Sequence, residues 1–194
     1  LLIDWYLPHR GVKPLGAVER EAFRALWRDA LIEPLSQAPT WVLRDYHSPN
    51  LLWLEEREGI QKIGLLDFQD ALIGPAAYDV ASLLMDARCT VSQETEVRLL
   101  SRYAIARLTA DPSFDHAKFA AHYVAMGAQR ATKILGIFAR LNKRDGKPQY
   151  LGHIPRVWGY LMRALEHPSL AAIKGWYEIN VPPPEAKPSG QKSI

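Results

Sequence analysis

Asp45, Asn50 and Asp67 are the residues in this chain whose types and spacing suit chemistry. Asp45 and Asn50 are separated by the short polar run Tyr46-His47-Ser48-Pro49. Asn50 opens an apolar run, and Asp67 nearly closes a second one. Between the two runs lies the charged segment Glu55 to Gln61, with Gly59 near its centre. That pattern predicts a β-hairpin with strands over 50–54 and 62–68. With the turn centred on Glu58-Gly59, Asn50 and Asp67 face each other, and directly opposed residues have Cβ atoms about 4.5–5.5 Å apart. An amide oxygen and a carboxylate at that separation are hard ligands suited to Mg²⁺, which keeps some waters and takes phosphate oxygens as well. Asp45 on the adjoining loop is placed to take a proton from an attacking hydroxyl. A metal that neutralises charge and a positioned base are the parts phosphoryl transfer needs. Taken singly, Asn50 reads as a turn residue and Asp67 as a strand-end cap. The three together, in this order, favour chemistry.

A second candidate is Arg130. At ~100° per residue, Phe119, Tyr123, Met126, Ile134, Ile137 and Leu141 fall on its side of one helix, so a cation sits in the middle of an apolar stripe. A charge there is paired or faces a polar cavity. The first reading pairs Arg130 with Asp70, Asp79 or Asp86. The second makes the helix a wall of an acceptor pocket, with Lys133 at the rim and a substrate carboxylate as partner. His47 reads as loop packing or substrate rim, and Asp70 as a further substrate candidate. His116, His122 and His153 lack metal-ligand spacing. Cys89, which follows an apolar segment, reads as a small core residue. Core packing is also the expectation for Trp5, Trp53 and Trp158.

The elements that must position these groups are mostly helical. Residues 1–8 are a short apolar segment. The periodicity predicts a helix over 17–35, with Val18, Phe23, Leu26, Trp27 and Leu31 on its face and Pro34 as its stop. A strand over 41–45 precedes the hairpin. After Gly74-Pro75 comes an apolar helix, followed by helices over 93–109, 115–142, 150–166 and 169–178, the last two split by Pro168. The tail from Val181 is rich in Pro, Lys, Ser and Gly and reads as extended or disordered. The expectation is therefore an α+β fold, mostly helical, with residues 1–180 as one unit and 181–194 as a tail.

With 194 residues, 48% of them hydrophobic, the chain is an ordinary globular domain in composition. A net charge of +3 without a long basic run argues against nucleic acid. No stretch approaches the ~20 apolar residues of a membrane span. A single cysteine permits no intrachain disulfide, and a cytoplasmic location is expected.

Leu43-Arg44-Asp45-Tyr46-His47-Ser48-Pro49-Asn50 resembles the Asp-x-x-x-x-Asn catalytic loop of the aminoglycoside phosphotransferase/choline kinase-like family. Leu66-Asp67-Phe68-Gln69-Asp70 resembles that family's metal-binding segment. Gly74-Pro75 followed by Tyr78-Asp79-Val80-Ala81 resembles the segment whose Asp braces the catalytic loop. These runs, with RATKILGIFARL at 130–141, look most like the bacterial anomeric N-acetylmuramate/N-acetylglucosamine kinases of peptidoglycan recycling. The resemblance implies the C-terminal lobe of a protein-kinase-like fold and an ATP- and Mg²⁺-dependent small-molecule kinase. Asp45 would be the base, Asn50 and Asp67 the metal ligands, and Arg44 and Asp79 structural supports. Leu43 stands where much of the wider family has His. The family's N-terminal nucleotide lobe has no counterpart in these residues, so this chain alone is expected to turn over little. Aminoglycoside and choline-type kinases, and a non-catalytic kinase-like binding module, are the alternatives.

Overall fold

The computed structural model describes residues 1–185. Its body is built on one long helix, α5 (His116–Asp145), started by Asp115, whose side chain accepts from the Lys118 N–H at 2.9 Å. A full stripe of α5 is buried, including Tyr123, Met126, Leu135 and Phe138. α6 (Ile154–Leu165) and α3 (Ala77–Leu84) pack on it, and α7 (Ala171–Asn180) closes the far side with Ile173 and Tyr177. Where α3 meets α5 there is no room for a side chain: a Cβ on Gly127 would lie 2.4 Å from the Met85 sulfur. α4 (Gln93–Ala110) is tied in by buried Glu96, which accepts from the Tyr123 hydroxyl at 2.7 Å and from Arg163.

The start of the chain is helical, a π-type turn over Leu2–Tyr6 running into α1 (Leu7–His9). Leu2, Ile3, Tyr6 and Leu7 are all buried. The backbone at Leu1 comes so close to α5 that a Cβ on Gly136 would sit 2.5 Å from its carbonyl carbon. α2 (Ala17–Leu35) matches the expected helix, with Pro34 inside its last turn rather than ending it. Trp27 is buried, but Val18 is 80% exposed and does not belong to the packed face.

Two small antiparallel sheets lie on one side of this body. β1 (Thr40–Val42) pairs with β4 (Leu72–Gly74), and β2 (Leu51–Trp53) pairs with β3 (Ile63–Leu65). β4 was not anticipated, because three residues running into Gly74-Pro75 carry no strand pattern of their own. The strands expected over 41–45, 50–54 and 62–68 are all shorter, since their ends turn away into the loops that carry the polar residues. The hairpin register also differs from expectation by one residue. Leu51 pairs with Leu65, so Asn50 lies opposite Leu66, whose N–H donates to the Asn50 carbonyl at 2.9 Å. Two further expectations fail: Cys89 is exposed, and Trp53 is 66% exposed. Val181 is buried, residues 181–185 carry no regular secondary structure, and the rest of the expected tail lies outside the described residues.

Candidate active site

The loop leaving β1 is fixed at both ends by carboxylates from the far side. Asp79, in the first turn of α3, accepts from the N–H groups of Leu43 at 2.6 Å and Arg44 at 3.1 Å. Burial pushes its carboxyl above the usual 3.8, more than the two backbone donors and Arg130 pull it down. Asp86, just past the end of α3, is 1% exposed and accepts from the Ser48 N–H at 2.9 Å, the Ser48 hydroxyl at 2.8 Å and the Arg88 N–H at 2.8 Å. Burial raises its carboxyl too, but these donors outweigh it and the net shift is downward.

Between these anchors the backbone turns sharply. Arg44 has φ +67, in the left-handed region that costs an ordinary residue about 1–2 kcal/mol. Its carbonyl takes two donors, the Ser82 hydroxyl at 3.2 Å and the Arg130 guanidinium at 2.9 Å. The Asp45 carbonyl takes two more, the His47 N–H at 3.1 Å and the Asn50 side-chain amide at 2.9 Å. The same Asn50 nitrogen lies 3.4 Å from an Asp67 carboxylate oxygen. Asp67 reaches it despite the shifted register because its own φ is +58, which swings the chain back as it leaves β3. Gln69 donates to the other Asp67 oxygen. With its nitrogen committed, Asn50 keeps its Oδ1 for another partner.

A cavity of ≈ 260 Å³ opens beside Asp45, walled by Arg44, His47 and Asp86 on one side and by Arg130, Lys133 and Ile137 of α5 on another. Asn50 and Asp67 are not among its walls, so Asp45 stands between the Asn50–Asp67 pair and the cavity. A larger cavity of ≈ 450 Å³, between Gln37, Pro75, Arg107 and His122, contains none of the three.

The structure thus brings together Asp45, Asn50 and Asp67, and places Arg44, His47, Arg130 and Lys133 on the cavity wall. Asp70 is outside that wall; it is exposed and sits 3.8 Å from the Arg44 guanidinium. No carboxylate pairs with Arg130 among the described residues. Its charge is met instead by the Arg44 carbonyl and by the face of Tyr78, 4.6 Å away. The sequence reading missed Ser48, Ser82 and Gln69, and took Asp86 only as a partner for Arg130. A signal was present: Asp79, Ser82 and Asp86, at spacings of three and four, are a polar stripe in an apolar run.

The sequence profile of the phosphotransferase enzyme family matches residues 1–122, the stretch that holds this loop, the hairpin and the two anchoring carboxylates. The chain belongs to the phosphotransferase enzyme family. Within that family it is 42% identical over 182 residues to an N-acetylmuramate/N-acetylglucosamine kinase of Caulobacter vibrioides, covering 94% of this chain and 49% of that protein. Proteins of the same name from Pseudomonas aeruginosa and Neisseria meningitidis are 40% and 39% identical, covering 89% and 84% of this chain and 51% and 48% of theirs. The chain spans about half the length of the curated relatives it matches. Among the described residues, no helix is long and apolar enough to cross a membrane.

Proposed function

We propose that this phosphotransferase chain is the catalytic and acceptor-binding lobe of a cytoplasmic, ATP-dependent sugar kinase of peptidoglycan recycling, acting on N-acetylmuramate or N-acetylglucosamine. The observation that carries the reading is the gathering of Asp45, Asn50 and Asp67 around one amide group, with a sugar-sized cavity on the far side of Asp45. The names of the relatives support the acceptor.

Asp45 accepts the proton of the acceptor hydroxyl as that oxygen bonds to the γ-phosphorus of ATP. The bond from that phosphorus to the bridging oxygen breaks, and ADP leaves. Asn50 and Asp67 fit Mg²⁺: a cation that keeps waters and phosphate oxygens needs only one or two protein ligands, and a carboxylate plus a free amide oxygen are hard donors. Among the described residues no group of three or more His, Cys, Asp or Glu forms a cage, so this pair is the candidate. Mg²⁺, when bound, neutralises charge on the phosphates. Asp79 and Asp86 hold the loop, and Arg130 holds the Arg44 carbonyl, so that Asp45 stays aimed at the cavity. His47 stays neutral near pH 7, since burial and then the nearby Arg88 lower its pKa from 6.5.

The test is ADP release by the full-length gene product with Mg-ATP and N-acetylmuramate, N-acetylglucosamine, choline or kanamycin. Turnover confined to an acetylated sugar is expected. Turnover with choline or kanamycin keeps the mechanism and overturns the acceptor. No turnover and no ATP binding would leave a non-catalytic binding module.

A further inference from the structure

The cavity beside Asp45 has more cations than anions on its walls. Arg44, Arg88, Arg130 and Lys133 face Asp45 and Asp86. Asp86 is already used by three donors from Ser48 and Arg88. Arg44 has Asp70 outside the cavity. Arg130 has a carbonyl and an aromatic face, but no carboxylate. The side chains of Lys133 and Arg88 make no ion pair or hydrogen bond with any described residue. On the same wall His47, 8% exposed, has its Nδ1 buried with no hydrogen-bond partner. The buried His47 Nδ1 lacks a partner until a ligand arrives, whereas half-buried Lys133 and exposed Arg88 have only water to exchange for an incoming anion. Ile134, Ile137 and Phe138 offer an apolar wall for a ring face. The volume, ≈ 260 Å³, falls just below the ~300–1,000 Å³ typical of ligand sites, which suits a ligand as small as one sugar residue.

We infer that this cavity selects an acceptor sugar bearing a carboxylate over a neutral one, with Lys133 and Arg88 as the specificity-determining residues that grip the carboxylate. The inference rests on the reading of the cavity as the acceptor site. The two sugars in the relatives' names differ in this respect, since N-acetylmuramate carries a lactyl carboxylate that N-acetylglucosamine lacks. Lys133 approaches from the α5 wall. Arg88 approaches from just past Asp86, whose bond to the Arg88 N–H fixes its backbone without using its side chain. Charge-assisted hydrogen bonds to a partly enclosed carboxylate are among the stronger polar contacts available. The neutral sugar forgoes them.

The experiment is calorimetric titration of the full-length protein with each sugar, alongside ADP release, for the wild type, Lys133→Met, Arg88→Met and Lys133→Arg. Expected is tighter binding of N-acetylmuramate than of N-acetylglucosamine by about tenfold or more. Each Met variant is expected to shrink the preference for the acidic over the neutral sugar about tenfold, read as the ratio of their Kd values. Lys133→Arg keeps the preference. Equal weakening of both sugars, or no change in either, overturns the inference and leaves the kinase reading intact, because both sugars are still phosphorylated. Absence of binding and of turnover with either sugar overturns both.

Discussion

The helical body and the sheet face of this molecule are built to opposite standards. In the body, Leu135 and Leu161 are 0% exposed, and glycines let α3 and the chain start touch α5. On the sheet face Trp41, Phe68 and Ile73 are 72%, 59% and 59% exposed, the strands are three residues long, and two non-glycine residues sit in the left-handed region. The residues assigned to chemistry are all on the second side. Local hydrogen bonds tie them to one another and to their own loops, but not to the body. They are held by polar groups reaching out from the body: Asp79, Ser82 and Asp86 from α3 and its end, and Arg130 from α5. Rigidity is lent to the site by the packed side, and strain at Arg44 is tolerated because those contacts over-determine its loop.

That contrast can be attacked directly, beginning with the body. Leu161→Ala should cost about 2–5 kcal/mol in urea unfolding, while Trp41→Ser on the sheet face should stay within about 0.5 kcal/mol. Comparable losses for the two would erase the distinction. Asp79→Ala should cost less, about 1–3 kcal/mol, by leaving the Leu43 and Arg44 N–H groups unmet. Unlike Leu161→Ala, it should also depress turnover, because it frees the loop that carries Asp45. Stability lost without any kinetic effect would mean the brace does not position the base.

The smallest effect expected is one of pH. The Asp86 carboxyl is lowered below its usual 3.8 in the folded chain. The unfolded chain therefore binds this proton more readily, and the stability Asp86 contributes is complete above 3.8 and lost as pH falls through its folded value. Asp79, raised above 3.8, acts in the opposite sense, since its burial cost is relieved as it protonates. Asp86→Asn should thus flatten the fall in stability on acidification below about pH 4, whereas Asp79→Asn should remove a gain in stability that develops at higher pH, as acidification passes from the raised folded value of Asp79 down to 3.8. The same slope in both variants would show that neither anchor is ionised as described.

Much of this was legible from residue order. The helices from 77 onward were readable because apolar periodicity over long segments survives any tertiary detail. The Asp45, Asn50 and Asp67 set was readable because a loop of fixed length and a hairpin place them whatever the exact pairing. The one-residue register error shows the limit: Asn50 and Asp67 approach through a left-handed turn at Asp67, and no pattern announces such a turn at an aspartate. β4 was invisible because its pairing with β1 is made by the tertiary fold. The setting of Arg130 was half readable. An apolar stripe showed that the charge needed a partner, but a backbone carbonyl and a tyrosine ring leave no charge pattern to find.

The proposed role of Asp45 is chemical, on a loop that the body holds in place. Turnover and melting temperature of Asp45→Asn in the full-length protein test it most directly. Asp45 is exposed, and its carbonyl, not its side chain, receives the loop's hydrogen bonds. A fall in kcat of about 10²–10⁴-fold at an unchanged melting temperature is expected. Retained turnover, or a loss that follows a lowered melting temperature, would contradict it.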